Sequence, residues 1–390
     1  MAVSPNNVVQ LLDLAMPDTT ENADKPIVCF VLPTYNEEAH IGQTIDAIFA
    51  NQDKCPGYAF RILVVDDNSS DSTQAIVIQR SAESSLLTMI TGNKVGLGDA
   101  YKRGFSHALE KFNPDYLFQM DSDGQHNPDV IPEFLNQVDQ GYSLVIGSRF
   151  VAGGATPEFS LRRKLISKVG NLLVRYVGGV RHVNDCTSGY RCISASYLQR
   201  CNLGFLATKG YSFQSSLLCE LVLLGAKVKE IPIVFVSRKG GDSKLSWNDQ
   251  WEFLINIPKL GFHSHADFIR YSIVGFSGVV INLGGYWFLT RHLGMSVETA
   301  PLLSIEASLI SNFILNHIWT FKDRPSQTAV MMRFLRFHSV AGIAGLANYI
   351  LFYVAYKYFM FNDLAANLLG IISASLINYL INSNWTWKKS

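Results

Sequence analysis

The sequence has almost no net charge. Its 390 residues carry 33 Lys plus Arg and 32 Asp plus Glu, a formal balance of +1. No global field draws such a chain to nucleic acid. It also lacks the polar composition of a disordered chain, since 48% of its residues are apolar or aromatic. Cysteine is sparse. Cys29, Cys55, Cys186, Cys192, Cys201 and Cys219 form no C-x-x-C pair. That excludes a zinc ribbon and a disulfide framework, and predicts reduced structural thiols. There is no P-loop and no G-x-G-x-x-G; the glycine-rich Lys94-Val95-Gly96-Leu97-Gly98 has neither spacing. Residues 1–25 have no basic start and carry Asp13 early, so they read as a flexible tail rather than a signal peptide.

Charge is scarcest in the C-terminal third, with 14 charged residues in 266–390 against 51 in 1–265. Residues 271–290, 337–356 and 364–387 contain none, and 299–318 contain only Glu306. A helix of about 20 apolar residues crosses a hydrocarbon core of about 30 Å, so four transmembrane helices are predicted. Lys259, Arg270, Lys322, Arg324, Arg333, Arg336, Lys388 and Lys389 fall on the side of the N-terminal region, against Arg291 and Lys357 on the other. By the positive-inside rule this multi-pass protein keeps its N-terminal region and both termini in the cytosol.

The membrane segment repeats at an offset of 66 residues. Phe268-Ile269-Arg270 matches Phe334-Leu335-Arg336, Asn282 matches Asn348, and Trp319-Thr320-Phe321-Lys322 matches Trp385-Thr386-Trp387-Lys388. Each unit is one hairpin, so the two repeats are parallel rather than inverted. Asn312 and Asn316, like their counterparts Asn378 and Asn382, share a helix face. They are expected to bond neighbouring helices or to line a polar headgroup path. Glu306 is expected to snorkel to the far interface or to face the bundle.

From position 26 the pattern changes to alternating strands and helices. Apolar runs at 27–32, 60–65, 116–120 and 144–146 each end in a polar cluster. These are Pro33-Thr34-Tyr35-Asn36-Glu37-Glu38, Asp66-Asp67-Asn68-Ser69-Ser70-Asp71, Asp121-Ser122-Asp123 and Gly147-Ser148-Arg149. Short buried runs separated by helical patterns predict a mostly parallel α/β sheet. Its ligand site lies at the carboxyl ends of the strands. Asp121 and Asp123, two apart, can hold a divalent cation through oxygen, and Gln125 can add a carbonyl oxygen. Asp66 and Asp67 can accept hydrogen bonds from a base or a ribose. A basic set comprises Arg149, Arg162-Arg163-Lys164, Arg238, Lys239 and Lys244. Trp247, Trp251, Phe253 and Leu254 then mark an amphipathic interfacial stretch over 247–266. A basic groove beside a bilayer suits a lipid phosphate.

In this order the motifs resemble those of family 2 glycosyltransferases of the dolichol-phosphate (polyprenyl-phosphate) mannosyltransferase group. The resemblance is carried by Pro33-Thr34-Tyr35-Asn36-Glu37, Asp66-Asp67-Asn68-Ser69, Gly96-Leu97-Gly98-x-Ala100-Tyr101, Met120-Asp121-Ser122-Asp123, His126-x-Pro128 and Gly147-Ser148-Arg149. It continues through Arg163-Lys164-x-x-Ser167, Thr187-Ser188-Gly189-Tyr190-Arg191, Lys209-Gly210-Tyr211-Ser212-Phe213-Gln214, Ile231-Pro232-Ile233-x-Phe235-x-x-Arg238 and Ser243-Lys244-Leu245. Ser122-Asp123-Gly124 departs from the Ala-Asp-Leu of many members but keeps the carboxylate. The repeated segment resembles the GtrA-like membrane domain.

The resemblance implies a GT-A-type catalytic domain over 26–246 and a four-helix GtrA-like domain of two hairpins over 267–390. It implies that Pro33, Tyr35, Glu37, Asp67, Lys94, Asp121, Ser122, Asp123, Arg238 and Lys244 bind a nucleotide-sugar donor. Asp121, Asp123 and Gln125 would hold Mg²⁺ or Mn²⁺, and Arg149, Arg163 and Ser167 a lipid phosphate. Asp123, Arg149 and Arg163 would be the catalytic set. The partners implied are GDP-mannose, or alternatively UDP-glucose or another UDP-hexose, together with polyprenyl or dolichyl phosphate and the bilayer. Processive polysaccharide synthases carry Q-x-x-R-W, which is missing because Gln250-Trp251 lacks the Arg. In a lipid-linked sugar translocase the membrane repeat would be the working part.

Overall fold

The computed structural model describes residues 25–203, 206, 210, 212–236, 247–296, 299–322, 324, 328–361 and 363–387. The chain divides into two compact units, Met1–Ser264 and His265–Ser390.

The first unit is built on seven strands: β1 (Ile27–Thr34), β2 (Ala59–Asp66), β3 (Leu87–Thr91), β4 (Tyr116–Gln119), β5 (Leu144–Ser148), β6 (Arg191–Ser194) and β7 (Val228–Pro232). They lie in the order β3-β2-β1-β4-β6-β5-β7. All neighbours are parallel except β6, which runs antiparallel to both β4 and β5. The helices between them are α1 (Ile41–Ala50), α2 (Thr73–Glu83), α3 (Leu97–Lys111), α4 (Ile131–Asp139), α5 (Leu161–Val177), α6 (Ala195–Arg200), α7 (Ser212–Leu223) and α8 (Trp247–Ser264).

The central strands read as unbroken apolar runs because both faces are covered. Alternate residues serve opposite cores. Val28, Phe30, Leu32, Ile62 and Val64 pack with Ile41, Ile45 and Phe134 on one side. Cys29, Val31, Leu63 and Val65 pack with Tyr101, Phe105, Phe213 and Leu217 on the other. Helix α3 lies close enough to the sheet that a Cβ at Gly104 would stand 2.4 Å from Val31 Cγ1. Strands β1 and β2 run past their apolar stretches. Thr34 pairs with Asp66 in register, and its hydroxyl donates to Asp66 Oδ1 at 3.0 Å. Strand β4 ends at Gln119, one residue before Met120. Helix α8 buries Ile257 and Leu260 in the second of these cores and exposes Leu254, Ile255 and Phe262.

The second unit holds α9 (Ala266–Arg291), α10 (Ala300–Leu315), α11 (Val330–Lys357) and α12 (Asp363–Ile381). Among the described residues, Ala266–Arg291 and Val330–Ala355 are long and apolar enough to cross a membrane. Helices α10 and α12 each run directly into a π-helical turn, Asn316–Thr320 and Asn382–Thr386. The 66-residue offset seen in the sequence separates these turns too. It also relates two packing contacts: the Ser304 hydroxyl donates to Asn282 Oδ1 at 2.7 Å, while a Cβ at Gly370 would stand 2.2 Å from Asn348 Oδ1. Asn382 donates to Asn378 Oδ1 and to the Tyr271 hydroxyl, and accepts from the Thr386 hydroxyl. Glu306 meets His338 on α11, with Oε1 3.2 Å from Nε2.

Candidate active site

Because β1, β2, β4 and β5 point the same way, their carboxyl ends deliver the polar clusters to one edge of the sheet. A cavity of about 1040 Å³ opens there. Pro33, Tyr35, Glu37, Asp67, Lys94, Asp121, Ser122, Asp123, Gln125, Arg149, Arg163 and Ser167 all line it. Arg238 and Lys244 lie outside the described residues, as do Lys209 and Tyr211 of the motif preceding α7. Of the basic run Arg162-Arg163-Lys164, only Arg163 reaches the wall.

The two adjacent aspartates after β2 have different tasks. Asp66 is fully buried and accepts from Thr34, Ser69 and the Gln74 amide. It ties the β1 and β2 loops together. Asn36 and Asn68, both at positive φ, shape those loops, and the Asn36 N–H donates to Ser69 Oγ at 2.9 Å. Asp67 faces the cavity and is bound by the Arg103 guanidinium. Burial pushes its carboxyl up, and the charge of Arg103 opposes this. Lys94 Nζ stands 3.4 Å from the centroid of the Tyr35 ring, a cation–π contact between two lining residues.

Asp121 accepts from the Tyr101 hydroxyl at 3.0 Å, and its backbone N–H donates to His126 Nδ1 at 3.0 Å. Burial, reinforced by the Asp121 carboxylate, holds the Tyr101 hydroxyl far above its ordinary pKa, so it stays a donor. The buried His126 ring stacks on Tyr190, with centroids 4.7 Å apart. Ser122 lines the cavity, yet its hydroxyl is spent on Pro33 O at 2.7 Å. Asp123 Oδ1 accepts the Gln125 N–H at 3.0 Å, closing a turn that Gly124 completes at φ +77°. The Gln125 amide nitrogen donates to Val236 O at 2.9 Å, and its Oε1 has no partner among the described residues. No group of three or more His, Cys, Asp and Glu side chains suited to a metal occurs among the described residues. The candidate donors are two carboxylates and one amide oxygen beside an open cavity. This all-oxygen set fits a hard divalent cation.

Arg149, at the end of β5, is locked in place. Its Nε and Nη2 each donate to Asp185 at 2.7 Å, and Nη2 also reaches the Thr187 hydroxyl at 2.8 Å. Burial pushes the Asp185 carboxyl up. The charge and hydrogen bonds of Arg149, with the Thr187 N–H, outweigh this and hold it below the usual range. Arg163 belongs to the first turn of α5, where its N–H donates to the Ser160 cap at 3.3 Å and its guanidinium lies 3.9 Å over the Phe159 ring. The lining also has an apolar part, made by Leu165, Ile166, Val169, Leu173, Phe253 and Leu254.

Two residues escaped the sequence reading, and a third, Arg191, was quoted there only within a motif. Asp185 and Arg103 each pair with a residue it had singled out. Arg191 is fully buried on β6 and donates to Gln214 O and Cys186 O, bracing the loop of Thr187 against α7. Burial lowers the Arg191 pKa to about 10. Arg191 stood within a matching motif; for Asp185 and Arg103 only long-range pairing carries the signal.

Residues 29–200 match glycosyl transferase family 2, and residues 270–387 match the GtrA/DPMS transmembrane domain. The molecule is thus a glycosyltransferase and a membrane protein. It is 32% identical, over 92% of its length, to a dolichol-phosphate mannosyltransferase of Pyrococcus furiosus, covering 99% of that protein. It is 36% identical over 62% of its length to an undecaprenyl-phosphate mannosyltransferase of Micrococcus luteus, covering 97% of it. It is 33% identical over 65% of its length to a polyprenol monophosphomannose synthase of Mycolicibacterium smegmatis, covering 93% of it. The chain belongs to the polyprenyl-phosphate mannosyltransferase family of family 2 glycosyltransferases, in its form with a C-terminal GtrA/DPMS domain.

Proposed function

We propose that the protein moves mannose from GDP-mannose onto a polyprenyl or dolichyl phosphate, giving a β-linked mannosyl phosphate lipid and GDP. The observation that carries this is the composition of the cavity. Its lining combines carboxylates, two arginines and an apolar stretch. A nucleotide sugar and a phosphorylated lipid together ask for that combination of environments.

Pro33, Tyr35, Glu37, Asp67 and Lys94 hold the nucleoside, and Arg238 and Lys244 are assigned to donor binding. Asp121, Asp123 and Gln125 hold Mg²⁺ or Mn²⁺, which supplies charge neutralisation to the leaving diphosphate. Arg149, Arg163 and Ser167 grip the lipid phosphate. The second pKa of a phosphate monoester is about 6, so near neutral pH the acceptor is already a dianion and needs no strong base. A lipid phosphate oxygen attacks the anomeric carbon. The bond from that carbon to the donor diphosphate breaks, and the electron pair leaves with the diphosphate. No proton moves, and a single in-line displacement inverts the anomeric centre. The work of the side chains is alignment and charge management. Asp185 holds Arg149 against rotation, and Tyr101 holds Asp121. Lys and Arg counts around the apolar helices support a cytosolic catalytic unit and cytosolic termini.

The test uses purified full-length protein in detergent with polyprenyl phosphate, Mn²⁺ or Mg²⁺, and a panel of nucleotide sugars. GDP-mannose is expected to give a product with the mass of mannosyl phosphate lipid and the β configuration. Asp123→Ala is expected to lower turnover by about 10²-fold or more while the protein stays folded. A product from UDP-glucose alone, or undiminished turnover in Asp123→Ala, would overturn the reading.

A further inference from the structure

Arg103 has had no task so far, yet it occupies a confined place against Asp67, which lines the cavity. It lies on α3 one turn after Asp99, with Nε 3.5 Å from Asp99 Oδ2, and its Nη2 donates to Asp67 Oδ1. Behind the guanidinium is Gly92, where a Cβ would stand only 1.6 Å from Nη1. The guanidinium therefore fills the volume that a side chain at position 92 would take. Asp67 is 7% exposed, and its Oδ2 has no partner among the described residues. The charged groups around it are Arg103 and Asp99 from α3 and Asp66 from its own strand end. Burial and both aspartates oppose a negative charge on Asp67, and Arg103 alone favours it.

We propose that Arg103 is a positioning residue for donor choice: it pins one oxygen of Asp67 and keeps that carboxylate charged, so that the other oxygen accepts N–H hydrogen bonds from the donor base. An ionised carboxylate accepts and cannot donate. It therefore selects a base edge built of N–H groups. Guanine presents two adjacent ones, from its ring nitrogen and its exocyclic amine, whereas uracil presents one. The inference deepens the proposed function and rests on it for placing the base beside Asp67.

Full-length protein is titrated with GDP and with UDP in the presence of Mg²⁺, comparing wild type, Arg103→Met, Arg103→Lys and Gly92→Ala. Arg103→Met is expected to weaken GDP about tenfold and UDP less than about threefold. The GDP loss grows on going from about pH 8 to about pH 5, because Asp67 without its cation protonates more readily. Arg103→Lys restores part of the affinity. Gly92→Ala keeps every charge but pushes the guanidinium off its seat, and weakens GDP more than UDP by a smaller factor. Equal losses for the two nucleotides, a loss independent of pH, or no loss in Arg103→Met overturns the inference. A wild-type chain that binds no GDP, or binds UDP better, overturns the donor reading itself and this inference with it. That failure shows before any substitution is compared.

Discussion

At the scale of single residues, the site works through paired groups rather than isolated ones. Asp185 fixes Arg149, and the cost of breaking that pair can be measured. Asp185 is fully buried and the Arg149 side chain is 12% exposed. Removing the carboxylate charge leaves a cation without its partner, and breaking such a pair costs about 3 kcal/mol or more. Asp185→Asn should therefore lower the unfolding temperature and turnover together. The depressed native pKa sets the sign of the pH effect. The stabilisation is complete above the ordinary carboxylate value of about 3.9 and is lost as pH falls through the native value. Wild-type stability should thus drop more between neutral and strongly acid solution than that of Asp185→Asn. Equal drops in thermal scans across that range would count against the pair.

At the scale of elements, what was legible in the sequence followed from burial on two faces. Strands β1 and β2, covered on both sides, are continuous apolar runs, and their polar ends marked the site. Strands β3, β6 and β7 were not read. β3 and β7 are short edge strands, with Thr88 and Thr91 in one and Lys229 and Glu230 in the other. β6 begins with Arg191, a charge that looks foreign to a strand until its carbonyl partners are known. Most of the singled-out residues that line the cavity were legible because parallel strands gather their ends at one edge. Arg103 and Asp185 were not, since their meaning lies in partners 36 residues away in each case. In the membrane unit, the pairing of α9 with α10 depends on a missing side chain. A Cβ at Gly278 would stand 2.4 Å from Asn312 Nδ2. Gly278→Leu should destabilise that unit by about 1–3 kcal/mol, read as a lower melting temperature in detergent, with nucleotide binding intact.

At the scale of the whole molecule, the boundary between units falls after α8, not before it. Ile257 and Leu260 belong to the catalytic core, so a chain cut ahead of α8 opens that core. A chain of residues 1–264 should fold and bind GDP with Mg²⁺ like the full protein, but should transfer poorly to long prenyl acceptors in membranes. Full activity on native lipid would reduce the second unit to a role outside this reaction. The near-zero net charge of the sequence is likewise a sum over unlike parts, carboxylates and arginines that line one cavity.

The six cysteines have a practical consequence. All are buried, and burial raises every thiol, Cys29, Cys201 and Cys219 to about 12. A thiol that neither ionises nor meets solvent does not react with maleimides. The native protein is in effect a cysteine-free background. A single cysteine placed on any exposed loop becomes a unique handle, and impermeant thiol probes can then report the side of the membrane on which each loop lies without rebuilding the core.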